Sequence, residues 1–197
     1  MSAPNGVAVV ILAAGASSRL GKRKQSLLLG HETLLDRSVR IANDAGFSQV
    51  VVVLGAFADQ IRSNCRLQNC RVLLNSDWKN GMGTSIRHGI QSLNPVQGAV
   101  VMTCDMPAVT SNHLERLATS DKLTASYYAN RRGVPAYFPK SMFPSLLQLD
   151  GDNGAKELLR SAPAIELVGG ELDIDTAEDV TRMQAPSASY ATIARCG

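Results

Sequence analysis

Short uninterrupted apolar runs alternate along the chain with segments in which apolar residues recur every three or four positions. Residues 7–12, VAVVIL, form a continuous β-branched run, the pattern of a strand buried on both faces. Residues 49–54 and 98–103 repeat it, 71–75 reads as a third strand in chain order, and 124–129, 134–138 and 165–168 read as shorter ones. Between them, 33–45 carries Leu34, Leu35, Val39, Ile41 and Ala42 at helical spacing and stops at Gly46. Helices are likewise expected at 58–64, 84–93 (Ile86, Ile90 and Leu93 on one face), 111–118, 141–147, 155–161 and 176–183. After Gln184 the periodicity is lost. Residues 1–184 are therefore expected to be one domain and 185–197 a flexible tail.

Strands alternating with helices of this length imply βαβ crossovers. The expected fold is α/β, three-layered, with a mainly parallel twisted sheet covered by helices on both faces. Ligands bind such sheets beyond the carboxyl ends of the strands. The stretches to interrogate are 13–24, 55–56, 75–85, 104–107 and 173–176.

Composition narrows the class. With 197 residues, 45% of them hydrophobic, the chain has material for a real core and is not disordered. No run spans a bilayer, and the start, MSAPNGVAVV, lacks a basic stretch ahead of an apolar one, so a cytoplasmic protein with no membrane partner is expected. A net charge of +3 without an aromatic-studded basic stripe argues against nucleic acid. Cys65, Cys70, Cys104 and Cys196 form no C-x-x-C pair, so neither a zinc site nor a disulfide framework is expected. Cys104 has no adjacent base and reads as core; His31, His88 and His113 read as surface or packing residues.

The segment after the first strand, LAAGASSRLGKRK (12–24), carries chemistry. Gly15 and Gly21 permit close backbone approach, exposed N–H groups can cradle phosphate oxygens, and Arg19 and Lys24 supply charge. A Walker loop is excluded because the glycine spacing and the residue after Lys22 are wrong. A short-chain dehydrogenase loop is excluded because Arg19 stands where glycine is needed.

The segment resembles the signature L-A-A-G-x-S-x-R-M/L-G-x-x-K of the MobA-like nucleotidyltransferases, through Leu12, Ala13, Ala14, Gly15, Ser17, Arg19, Leu20, Gly21 and Lys24. Further segments resemble that family's molybdenum cofactor cytidylyltransferase branch. They are NSDWKNGMGTS (75–85), Cys104-Asp105-Met106-Pro107, Arg132-Gly133-Val134-Pro135, Gly151-Asp152-Asn153-Gly154-Ala155 and DIDTAED (173–179). Ser76, Arg23 and Ala177 replace prolines usual in the family, changes of turn chemistry only.

The resemblance implies transfer of a nucleotide from an NTP to a phosphorylated acceptor, with release of pyrophosphate. It implies Mg²⁺ held by Asp105 and by one of Asp173 and Asp175, the latter favoured. Asp105 is also suited to capping a turn before Pro107, and Asp175 or Thr176 to capping the last helix, with Glu178 or Asp179 three residues on. Lys24, aided by Arg19, is assigned to the phosphates. Leu12, Ala13, Ala14, Gly15, Arg19, Lys24, Asn75, Gly81, Ser85 and Asp105 are the expected nucleotide-binding residues. Trp78 either walls this site or simply packs. Arg132, Gly133, Pro135, Gly151, Asp152 and Gly154 are the expected acceptor-binding residues, although both segments also read as plain turns. Ala14, at a position that tends to be Ala in CTP users and Gly in GTP users, favours CTP. The expected partners are CTP, a phosphorylated pterin cofactor and, downstream, a molybdoenzyme or its chaperone. The alternatives are GTP, another phosphorylated acceptor, a non-catalytic cofactor-delivery protein, or a dinucleotide oxidoreductase.

Overall fold

β1 (Val7–Ala13) is buried along its whole length, and its alternate residues serve two different cores. Val7, Val9, Ile11 and Ala13 face one layer; Ala8, Val10 and Leu12 face the other. This period of two is why a continuous β-branched run folds as a strand between two layers of helix. The computed structural model describes residues 6–17, 20–151 and 154–184.

The elements that follow are β2 (Leu28–Leu29), β3 (Glu32–Thr33), α1 (Leu34–Asp44), β4 (Gln49–Leu54), α2 (Ala58–Asn64), β5 (Arg71–Leu74), α3 (Met82–Gln91), β6 (Gly98–Thr103), α4 (Ser111–Ala118), β7 (Thr124–Tyr128), β8 (Arg131–Pro139), α5 (Phe143–Leu147), α6 (Lys156–Leu159), β9 (Ala164–Glu166) and α7 (Ala177–Gln184). Among the described residues the main sheet has the order β5-β4-β1-β6-β8-β7-β9, and β2 pairs with β3 in a separate hairpin. Pairing is parallel except that β8 runs antiparallel to both β6 and β7, so the mainly parallel expectation holds. Residues of α1, α2 and α4 cover one face; those of α3, α5 and α6 cover the other. No helix among the described residues is long and apolar enough to cross a membrane. The expected tail, 185–197, lies outside the described residues.

A third, small core joins Leu34, Leu172, Ile174 and Met183 with Leu20, Leu27, Leu29 and Val180. It fastens the hairpin and the turn after β1 to the segment before α7. Ile174 is fully buried there, so Asp173 and Asp175, on either side of it, are turned away from this core.

Candidate active site

Parallel pairing brings the ends of β1 and β6 level: Leu12 stands opposite Thr103, so Ala13–Ala14 and Cys104–Asp105 leave the sheet side by side. The turn after β1 is held from within by Gln25. This side chain is 1% exposed, and its Nε2 donates to the carbonyls of Ala13 (3.0 Å) and Gly15 (2.9 Å). Ser17 takes a left-handed backbone (φ 53°), and its Oγ accepts from the Lys24 backbone N–H at 3.3 Å. The backbone N–H of Ile174 donates to the Asp105 carbonyl at 3.0 Å, stitching the segment before α7 to the end of β6.

Three stretches remote in sequence thus converge on one ammonium. Lys24 Nζ donates to Asp105 Oδ2 at 2.5 Å and to Asp175 Oδ1 at 3.0 Å. Burial works against the charged lysine, but the Asp105 charge and the hydrogen bonds to both carboxylates outweigh it and raise its pKa above the ordinary range. Asp173 is pushed up by burial first and then by the charges of Asp105 and Asp175. The cap of α7 is settled in favour of Thr176 and Asp179. Thr176 Oγ1 accepts from the Asp179 N–H at 3.3 Å, while Asp179 Oδ2 accepts from the Thr176 N–H at 2.9 Å. That arrangement leaves the Asp175 carboxylate to meet Lys24.

Asp105 Oδ1 is buried and has no hydrogen-bond partner among the described residues. An orphaned carboxylate oxygen is costly unless something positive satisfies it. A hard divalent cation suits this donor set, because Mg²⁺ is typically held by one or two carboxylates plus phosphate oxygens and water. Among the described residues no group of three or more His, Cys, Asp or Glu forms a self-sufficient metal cage.

A cavity of about 380 Å³ opens above these groups. Of the residues expected to bind nucleotide, Leu12, Ala13, Ala14, Gly15, Lys24, Gly81, Ser85 and Asp105 line it. Trp78, Lys79, Met82 and Gln25 line it as well. Trp78 walls the site because Gly55 leaves room for it: a Cβ on Gly55 would lie 2.6 Å from Trp78 Cβ and 2.8 Å from the Ala14 carbonyl. Asn75 lies behind the wall. It is fully buried and is not among the lining residues. A second cavity of about 420 Å³, between α1 and the connection from α2 to β5, shares no residue with the first.

Among the described residues, those expected to bind the acceptor, Arg132, Gly133, Pro135, Gly151 and Gly154, do not line the 380 Å³ cavity. Arg132 Nε donates to the Ala162 carbonyl at 2.8 Å, Gly133 packs on Tyr128, and the Pro135 carbonyl accepts from Ser126 Oγ at 2.5 Å. Gly151 and Gly154 sit against the start of α3, with the Gly83 N–H donating to the Gly151 carbonyl at 3.0 Å. Arg19 and Asp152 lie outside the described residues. Burial, and then the Asp105 charge, push the Cys104 thiol up to about 12, so it carries no thiolate at neutral pH and is a core residue, not a nucleophile.

A mainly parallel sheet covered by helices on both faces is the α/β fold of the nucleotidyltransferases. Residues 9–166 match the MobA-like NTP transferase domain, and the chain belongs to that family of nucleotidyltransferases. It is 30% identical to nicotine blue oxidoreductase of Paenarthrobacter nicotinovorans, over 88% of this chain and 94% of the relative. It is 30% identical to purine catabolism protein PucB of Bacillus subtilis (strain 168), over 86% and 92%. The crystal structure of Rv0371c from Mycobacterium tuberculosis H37Rv superposes with a TM-score of 0.81 at 31% identity, over 93% of this chain and 98% of that one. Its complex with manganese gives a TM-score of 0.77 at 26% identity, over 93% and 100%.

Proposed function

We propose that this protein transfers CMP from CTP to the terminal phosphate of a molybdopterin-type cofactor, releasing pyrophosphate, with Mg²⁺. The observation that carries this reading is Lys24, held between Asp105 and Asp175 directly beneath a turn of small residues. An oxygen of the acceptor phosphate attacks the α-phosphorus, and the bond to the bridging oxygen of the β-phosphate breaks. The nucleophile is already an anion, so no general base is needed; what is needed is charge neutralisation. Asp105 and Asp175 would hold the divalent cation, with Asp173 beside them, and the cation would supply neutralisation of the triphosphate. Lys24 binds the phosphates and stabilises the departing pyrophosphate as a point charge. The small residues Ala13–Gly15 let the nucleotide approach the backbone, and Ala14 supports CTP over GTP. The acceptor would dock toward Arg132–Pro135 and Gly151–Gly154, at the rim.

Pyrophosphate release measured with CTP and GTP against a panel of phosphorylated acceptors tests the reading. Turnover is expected with CTP and a phosphorylated pterin, and Asp105→Ala should lower it at least ~100-fold without unfolding the chain. Full activity of that variant with Mg²⁺ present would remove the metal assignment.

The name of the Paenarthrobacter relative favours a second reading, an oxidoreductase, and a dinucleotide is the cofactor to test for it. Reduction of a redox dye by NADH or NADPH separates the two, since a nucleotidyltransferase leaves the nicotinamide reduced whether or not it binds it.

A further inference from the structure

The wall of the cavity formed by α3 contains a hydrogen-bond network whose direction follows from one donor that has no choice. The backbone N–H of Asp77 can only donate, and it donates to Asn75 Oδ1 at 2.9 Å. That contact fixes which end of the amide is nitrogen. The two N–H bonds of Nδ2 are then directed to Thr84 Oγ1 at 2.9 Å and Ser85 Oγ at 3.0 Å. Thr84 hands its own proton to the Gly81 carbonyl at 2.9 Å. Ser85 also receives, but its proton reaches no acceptor among the described residues. Ser85 is 3% exposed, and the surface it keeps faces the cavity. Its hydroxyl thus accepts from behind, and its proton is left for the cavity side.

We propose that Asn75 is a positioning residue for base selection: by donating to Ser85 Oγ it keeps this hydroxyl's proton from turning back and directs it toward the bound base. The inference rests on the nucleotide-transfer reading and deepens it. A fixed donor rewards a base edge that presents acceptors. Cytosine offers two adjacent acceptors, N3 and O2. Uracil carries a proton on N3. Guanine offers O6 beside two donors. Asn75 accomplishes this without touching the nucleotide, which is why it lies behind the wall.

Asn75→Asp tests the polarity. It preserves Oδ1 for the Asp77 N–H but replaces the donor by an acceptor. At pH 8.5 the Ser85 proton should then turn back to the carboxylate, showing the base a lone pair. Calorimetric titration of wild type, Asn75→Asp and Ser85→Ala with CTP, UTP, GTP and inorganic triphosphate, all with Mg²⁺, provides the readout. For Asn75→Asp, CTP affinity is expected to fall roughly 10- to 100-fold while UTP falls less, and inorganic triphosphate binds as in wild type. Ser85→Ala should lose the preference for CTP over UTP without acquiring the opposite one, and it decides the question alone if Asn75→Asp does not fold. Equal losses for the three nucleotides and inorganic triphosphate in Asn75→Asp, or an intact CTP preference in Ser85→Ala, would overturn the relay. A wild type that prefers GTP would overturn the CTP reading instead. The relay then stands or falls on whether Asn75→Asp weakens GTP, through O6, more than inorganic triphosphate.

Discussion

Lys24 meets the two carboxylates proposed to hold a divalent cation, through Asp105 Oδ2 and Asp175 Oδ1, so removing it separates two effects that usually travel together. Lys24→Met takes from the buried Asp105 carboxylate the ammonium that Oδ2 now meets. Stability in metal-free buffer should fall by about 1–3 kcal/mol, the consequence of uncovering partly buried charges. Manganese titrated without nucleotide should bind more tightly than to wild type and restore that stability, while turnover drops at least ~100-fold. Unchanged manganese affinity would mean that the ammonium does not compete for the site. His113 carries a separate pH signature. It is buried on α4, where its Nε2 lies 2.7 Å from Ser126 Oγ. Ser126 spends its own proton on the Pro135 carbonyl, so Nε2 must be the protonated nitrogen of a neutral ring. Burial, and then Arg116, lower its pKa to about 4. The unfolded chain therefore takes up this proton first as pH falls. Stability should decline from about pH 6.5 and reach its full loss, up to about 3 kcal/mol, near pH 4. Urea midpoints of wild type and His113→Gln between pH 7.5 and 4.5 check this, since the variant should lose that slope.

Helix α3 carries the cavity wall, and its height above the sheet is set by Gly89. A Cβ there would press into Val10 Cγ1 and lie 3.3 Å from Val53 Cγ2, both on fully buried side chains. Alanine normally favours a helix interior over glycine by about 1 kcal/mol. Overpacking a closed core costs about 1–3 kcal/mol. The clash should win, so Gly89→Ala is expected to lower the thermal midpoint; a rise would mean that α3 can lift off the strands. Elements of this kind were legible in the sequence. The strands at 49–54 and 98–103 and the helices at 58–64 and 111–118 fall where periodicity placed them, because each buries one regular face or run. The hairpin of β2 and β3 was not foreseen, since two-residue strands have no period. β8 is longer than the expected 134–138 because its register shifts against β7 between Ala125 and Ser126, interrupting the alternation. In the site, Lys24, Asp105 and Asp175 were legible from motif and strand ends. Gln25 was not: a lone glutamine after a basic triplet reads as surface, and its burial follows only once the turn closes over it. Asn75 was expected from the motif to touch the nucleotide, but the structure sets it behind the wall, where it bonds Thr84 and Ser85, and contacts of that kind have no sequence signal.

At the scale of the whole molecule, the site is a junction. The turn after β1, the end of β6 and the segment before α7 meet there: Ala13 and Cys104 pack into one face of the sheet, and Leu20 and Leu27 join the turn to the small cluster around Ile174. Folding assembles the clamp, and an unfolded chain has no equivalent of it. A ligand that occupies the junction binds the folded state alone, so its binding free energy adds to stability as RT ln(1 + [L]/Kd), about 2.7 kcal/mol at a hundredfold excess over Kd. For a domain of this size each kcal/mol moves the midpoint by about 2–4 °C. CTP with Mg²⁺ at that excess should therefore raise the thermal midpoint by roughly 5–10 °C, and chelation of the metal should remove most of the gain. Asp105→Ala and Asp175→Ala should each abolish the metal-dependent part while keeping a cooperative transition, because the three cores do not need those carboxylates. A metal-independent shift of the same size in both variants would place the ligand elsewhere, and the second cavity beside α1, with no lysine clamp among its lining residues, would be the place to look.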